Sequence, residues 1–282
     1  MAKPPEHRKA DFSDVYVQPD PRAYYETLQP LDYEIPQHGS EVFEAVLDEL
    51  RANSPDRPVV LDVCCSYGVN AALLNHHVTL QEVQEHYATA GDLPRQQLIE
   101  RDRRWFGRRR RAEAVDVVGL DASAPAVDYA VEASLLADGV VADLEQEPLT
   151  GSDAAKLAGV DLITVTGGVG YVNGRTFDQV LEAADDRPWV AALSLRWVDF
   201  EPIAETLDQH GLVTEKAPGY VVPQRRFVDA AEHRYVVDQL ESRGLEVTDV
   251  EQAGQHGAEL YLARPAEDVA ATPLAVVLAD VL

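Results

Sequence analysis

The chain has 282 residues, 46% of them apolar, enough for one large α/β domain with additions and too many for wholesale disorder. Its 49 acidic residues outnumber the 24 basic ones, giving a formal charge of −25, which argues against a general nucleic-acid coating protein because phosphate backbones demand positive surface. The surplus is uneven: residues 101–111 (RDRRWFGRRRR) hold seven Arg and one Asp, a local +6 that leaves −31 on the remainder.

Arg outnumbers Lys 20 to 4 beside many Ala, which reads as the codon bias of a GC-rich genome, with adaptation to salt as the lesser alternative. The two cysteines, Cys64 and Cys65, are adjacent; neighbours rarely bridge, so no disulfide framework is expected. No His, Cys, Asp or Glu spacing suggests a metal site. The N-terminus lacks the apolar stretch of a signal peptide, and no apolar run approaches the ~20 residues that span a bilayer. A soluble, reducing, cytoplasmic setting without a membrane partner is the expectation.

In chain order, residues 1–21 are polar and dotted with proline, and disorder is expected for the first dozen. A dense aromatic segment, PRAYYETLQPLDYEIPQ, follows from Pro21 to Gln37. Helical periodicity runs over Glu41–Asn53, with Ser40 as N-cap and Val42, Phe43, Val46, Leu47 and Leu50 on one face. Pro58–Cys65 reads as a buried strand, followed by a turn at Ser66–Gly68 and a helix over Val69–His76. His76 and His77 sit at that helix end, where the dipole favours a cation. A charged helical stretch covers about Thr79–Arg111, broken near Gly91–Pro94. Val115–Asp121 is the second strand, Ala124–Leu136 a helix and Gly139–Leu144 the third strand. A short helix near Ser152–Ala158 leads to the strand Val160–Thr166, then a glycine loop, helix Thr176–Ala184 and strand Trp189–Trp197. Residues 198–228 read as irregular or mixed. After a helix at Ala230–Arg243, the segments Leu245–Gln252 and Glu259–Ala263 look like a closing antiparallel pair. The apolar tail Leu274–Leu282 is expected to dock on the body.

Buried Val and Leu runs alternating with helices mean crossovers, and so a parallel doubly wound sheet, whose ligands bind at the carboxyl ends of strands. The first strand ends in LDVCCSYG (61–68), whose small residues let a ligand approach the backbone and the next helix's amides. The second ends in Asp121 with Ala122 and Ser123, a carboxylate placed to accept from ribose hydroxyls. The third ends in Ala142-Asp143-Leu144, suited to an adenine edge and face, and the fourth in Thr166-Gly167-Gly168.

With these four tips the sequence resembles the class I S-adenosylmethionine-dependent methyltransferases. LDVCCSYG matches their first motif position by position, with Asp62 as its acidic residue and Gly68 as its last glycine, but Cys64 and Ser66 replace the first two glycines. The resemblance covers about residues 58–264. The tips follow in order at intervals of 22 (Asp121 to Asp143) and 23 (Asp143 to Thr166), while the 59 residues from Asp62 to Asp121 exceed one βαβ step and point to a helical insert. The resemblance implies a Rossmann-like, mostly parallel seven-stranded sheet with an antiparallel closing strand. It implies three parts: an N-terminal segment and helical lid (1–57), a core (58–264) with an insert at about 78–113, and a tail (265–282). It implies S-adenosylmethionine as cofactor and S-adenosylhomocysteine as product. Asp62 and the loop through Cys64, Cys65, Ser66 and Gly68, with Asn70, hold the methionine moiety. Asp121 and Ala122 take the ribose, Ala142, Asp143 and Leu144 the adenine, and Thr166 and Gly167 complete the set.

Candidate acceptor contacts are Tyr24, Tyr25 and Tyr33 of the aromatic segment, His38 as a possible base, Tyr171 after the fourth strand, and Arg196 and Trp197 after the fifth. Packing and capping roles compete at each. The loop Gly167-Gly168-Val169-Gly170 is no dinucleotide fingerprint, since Asn173 stands where its third glycine belongs. It also lacks the Asn/Asp-Pro-Pro-aromatic sequence of many family members acting on nucleobase or glutamine amide nitrogen. Its absence tilts the acceptor toward oxygen or another nitrogen type; a small-molecule or peptide acceptor is expected, with oxygen (carboxylate or hydroxyl) preferred. A non-catalytic cofactor-binding protein and an RNA methyltransferase using the Arg-rich run are the alternatives. That run can also be a solvated face, given Glu100 and Asp102 interspersed in its flanking helix, or a contact in a homodimer.

Overall fold

A computed structural model of the chain describes residues 10, 12–54 and 56–282. Disorder in the first dozen residues is a reading that falls almost wholly outside that set. The N-terminal segment forms α1 (Ser13–Tyr16), α2 (Arg22–Leu28), a single 3₁₀ turn (Gln29–Leu31) and α3 (Ile35–Asn53). Pro36 opens α3, its fixed φ and missing donor suiting the first turn. The helix therefore starts before Ser40, which is no N-cap; its hydroxyl donates to the Gln37 carbonyl at 2.7 Å. The expected face is buried: Val42, Phe43, Val46 and Leu47 have no exposure.

Beyond it run β1 (Val59–Val63), α4 (Val69–Asn75), α5 (Leu80–Ala88), α6 (Arg95–Gly107), β2 (Asp116–Asp121), α7 (Ala124–Glu132) and β3 (Asp138–Val141). Then come α8 (Gly151–Leu157), β4 (Leu162–Thr166), α9 (Gly174–Ala183), β5 (Trp189–Leu195) and α10 (Glu201–Gln209). The chain closes with β6 (Leu212–Arg226), α11 (Ala230–Ser242), α12 (Asp249–Gln252), β7 (Gln255–Pro265), α13 (Ala266–Ala271) and α14 (Leu274–Val277). One seven-stranded sheet results, in the order β3-β2-β1-β4-β5-β7-β6. The first five strands pair in parallel, and β7 runs antiparallel to both β5 and β6. Register sets Asp62 opposite Gly119 on one side and Thr164 on the other. Between β1 and β4 the strand order reverses, which opens a crevice at the carboxyl ends.

Three local expectations are corrected. The antiparallel partner of β7 is β6, within the stretch read as irregular; Pro218 and Pro223 hide it, and an edge strand with register shifts tolerates both. Residues 245–252 are not a strand: Thr248 and Glu251 form a reciprocal capping box that starts α12. His76 is buried against Phe106, its Nδ1 2.9 Å from the Ala72 carbonyl, and burial lowers its pKa, so it is a neutral ring and not a dipole-held cation.

The insert between α4 and β2 is tied down by one buried carboxylate. Asp102 of α6 receives His86 Nε2 at 2.8 Å, Tyr87 OH at 2.7 Å and Tyr129 OH at 2.6 Å. The last of these belongs to α7 of the core, so Asp102 serves packing and not the Arg run. The tail docks as expected, with Leu274, Val277 and Leu278 buried beside α3. No helix among the described residues is long and apolar enough to cross a membrane.

Candidate active site

The turn after β1 departs from ordinary backbone at three alternate positions. Cys64, Ser66 and Gly68 have φ of 59°, 50° and 75°. The left-handed region costs a non-glycine residue about 1–2 kcal/mol, so Cys64 and Ser66 keep a glycine-type turn without glycine. Neighbouring small residues make the room. A Cβ on Gly168 would lie 2.8 Å from Cys64 Sγ, and one on Gly119 would lie 2.6 Å from Cys65 Sγ. Both cysteines are free. Ser66 Oγ is buried without a hydrogen-bond partner. Ser66→Gly is accordingly expected to stabilise the fold by about 1 kcal/mol, the relief of strain and of an orphan hydroxyl outweighing the entropy of a new glycine. A thermal melt checks this, and a lowered midpoint would show that the turn is unstrained.

Asp121 at the tip of β2 holds that turn. Its Oδ2 accepts the Ser66 N–H and its Oδ1 the Ser123 N–H, both at 2.9 Å. Burial raises its pKa, and those backbone donors oppose the rise. Asp62 lies deeper, wholly buried: Oδ1 accepts from Asn70 Nδ2 at 2.8 Å and Thr164 Oγ1 at 3.0 Å, while Oδ2 has no partner. Burial pushes its pKa up to about 7 against those two hydrogen bonds. The folded chain thus keeps a proton that the unfolded chain loses near its ordinary 3.8, so stability falls as pH rises from about 4 to about 7. Urea unfolding of Asp62→Asn should lack that decline, and an unchanged pH profile would reassign it to another group. Asn70 also donates to Thr166 Oγ1 at 3.0 Å, joining the tips of β1 and β4.

These tips open into one cavity of about 420 Å³. Cys64, Cys65, Ser66 and Asn70 line it after β1, and Asp121 and Ala122 after β2. Ala142, Asp143 and Leu144 line it after β3, and Thr166 and Gly167 after β4. Tyr24, Tyr33 and Tyr171 close the other side. The N-terminal segment is fastened over it: Tyr67 OH lies 2.9 Å from the Val15 and Gln18 carbonyls, and Ser123 Oγ donates to the Tyr16 carbonyl.

Six of the sequence candidates stand outside the lining. Asp62 sits behind Asn70, and Gly68 turns the chain into α4. Tyr25 faces the insert, stacked on Tyr87 with centroids 4.7 Å apart. His38 lies in the first turn of α3, its Nε2 buried without a partner. Arg196 is spent on Glu251 at 2.8 Å, Glu259 at 3.2 Å and the Glu246 carbonyl at 2.9 Å. Trp197 packs beside Tyr235 and His256. Arg196 and Trp197 are thus corrected from acceptor contacts to the packing of the β5–β7 end. Tyr16, Pro36, Val172 and Thr176 line the cavity and are not among the residues singled out from the sequence; Gly168, at the end of the fourth tip, lines it as well. Tyr16 lay just before the aromatic segment, and its four-residue helix gives no periodic signal. Among the described lining residues there is no Lys, Arg or His; the charged ones are Asp121 and Asp143.

No protein-family profile and no curated protein matches the chain. Solved structures similar to it include a TehB-like SAM-dependent methyltransferase from Corynebacterium glutamicum, 15% identical, covering 77% of this chain and 86% of its own at a TM-score of 0.38. Magnesium protoporphyrin IX methyltransferase from Synechocystis is 11% identical over 80% of each chain, TM-score 0.38. A plantazolicin methyltransferase in complex with a substrate analogue and SAH is 12% identical over 89% of this chain and 93% of its own, TM-score 0.45. The strand order with its antiparallel β7 gives the chain a Rossmann-like, mostly parallel seven-stranded sheet with antiparallel closing strands, the architecture that the motif resemblance implied.

Proposed function

We propose that the chain is an S-adenosylmethionine-dependent methyltransferase acting on a small-molecule or peptide acceptor. One observation carries this: the tips of four parallel strands that bear the motif resemblance, the first with Cys64 and Ser66 in place of two glycines, meet in a single cavity at the point where strand order reverses. The residues present fit the cofactor. Ser66 Oγ is an orphan polar atom in the wall, and Asp121 retains lone pairs beyond its two backbone donors.

When bound, the cofactor supplies the reactive sulfonium methyl. The chain's part is alignment and exclusion of water. Asp121 would accept from the ribose, Asp143 and Leu144 would meet the adenine, and Asn70, Ser66 and Thr166 would orient the amino-acid end. Tyr16, Tyr24 and Tyr33 wall the acceptor side and keep it dry. Oxygen remains the preferred acceptor atom, because the loop after β4 lacks the Asn/Asp-Pro-Pro-aromatic sequence. Within oxygen a hydroxyl suits better than a carboxylate, since the described lining residues include two aspartates and no cation. That same lining speaks against RNA as acceptor.

The test is transfer of a radiolabelled methyl group from S-adenosylmethionine to fractionated host extract. Label is expected in small-molecule or peptide fractions and insensitive to ribonuclease. Binding of S-adenosylhomocysteine with no label in any fraction would favour the non-catalytic alternative.

A further inference from the structure

The arginine run that the cofactor site leaves unused builds a second concave feature. Arg101, Arg104, Arg108 and Arg109 line a groove between α5 and α6, together with His86 and Thr89. In a chain this acidic, most large cations find a carboxylate: Arg22, Arg95, Arg111, Arg196 and Arg225 all form ion pairs. Among the described residues none of the four groove arginines does. Their recorded bonds go to neutral groups: Arg101 to the His86 carbonyl and Thr89 Oγ1, Arg104 to the Glu100 carbonyl, and Arg109 to the Trp105 carbonyl. Arg101 Nη1 is buried with no partner at all. A guanidinium carries five donors in a planar fork that matches the oxygens of phosphate, so this groove is rich in unused phosphate donors.

Two features narrow the ligand. Trp105 in the groove is already stacked by His86, centroids 4.3 Å apart, and by the Arg109 guanidinium 4.2 Å away, so a nucleobase finds no free aromatic face. Glu82 and Glu85 line the same groove, so an anion fits only on the side where the four arginines stand, which suits a compact group and not an extended polyanion. We propose that the α5–α6 groove is a binding site for a compact phosphate group, a monoester or diphosphate of a small molecule, held by Arg101, Arg104, Arg108 and Arg109. It is separate from the cavity at the strand tips and does not depend on the methyltransferase reading.

The experiment is calorimetry of the full chain with inorganic pyrophosphate, alongside a short oligouridylate and poly-glutamate. Pyrophosphate should bind, and the double variant Arg104→Gln/Arg108→Gln, both at exposed positions, should weaken it at least about tenfold. An equal thermal melt shows the variant folded, and S-adenosylhomocysteine binding should be equal in the two proteins, which separates the groove from the cavity. No pyrophosphate binding, or equal binding by the variant, would overturn the proposal. So would tighter binding of oligouridylate with steep salt dependence, which marks an RNA surface, or of poly-glutamate, which marks an acidic protein partner.

Discussion

Asp121→Ala is expected to weaken S-adenosylhomocysteine binding at least about tenfold, the equivalent of about 1.4 kcal/mol. The carboxylate has two jobs in the proposed site. It would accept from the ribose, and it already holds the Ser66 and Ser123 amides at 2.9 Å each. Charge-assisted bonds of this kind contribute about 1.5–3 kcal/mol each, and Ser66 is the residue kept in a left-handed conformation. Removing the carboxylate therefore frees the turn to relax out of the shape that admits a cofactor. Asp121→Asn should fare little better, because its amide nitrogen would face one of the two N–H donors. Calorimetry measures both. Unchanged affinity in Asp121→Ala would mean that the tip of β2 does not hold the ribose.

Arg196→Ala should instead destabilise the fold, by about 3–5 kcal/mol, without touching the cofactor. Its guanidinium is 6% exposed and lies between Glu251 and Glu259, themselves buried. Lys216 reaches Glu259 at 2.7 Å, but Glu251 has no second cation among the described residues. Loss of Arg196 thus leaves a buried, uncompensated carboxylate. A fall of about 10 °C in melting temperature follows for a chain of this size. Affinity for S-adenosylhomocysteine per folded molecule should stay the same. A stable Arg196→Ala protein with a raised KM for the acceptor would restore Arg196 to the acceptor pocket.

The parts of the fold legible in sequence are those where burial dictates residue type. PVVLDVCC, VDVVGLD and VDLITVT are buried on both faces, so they read as parallel strands, and their tips gave the cavity wall. β6 was illegible because an edge strand pairs on one side only and tolerates two prolines and register shifts. The capping box at Thr248 and Glu251 was visible as a T-x-x-E spacing but was masked by the apolar Leu245 and Val247 nearby. Aromatic residues gave the weakest guide. Nothing local distinguishes Tyr24, which lines the cavity, from adjacent Tyr25, which stacks on Tyr87; one helical step of about 100° sends them to different partners. Arg196 misled for a related reason. Its partners Glu251 and Glu259 are 55 and 63 residues away, and only the β5–β7 pairing brings them together.

The most direct test is calorimetric titration of the wild-type chain with S-adenosylhomocysteine. The account predicts one site per chain, with micromolar-range affinity of about −8 kcal/mol, and loss of at least about tenfold in Asp121→Ala. No binding by folded wild-type protein would contradict it.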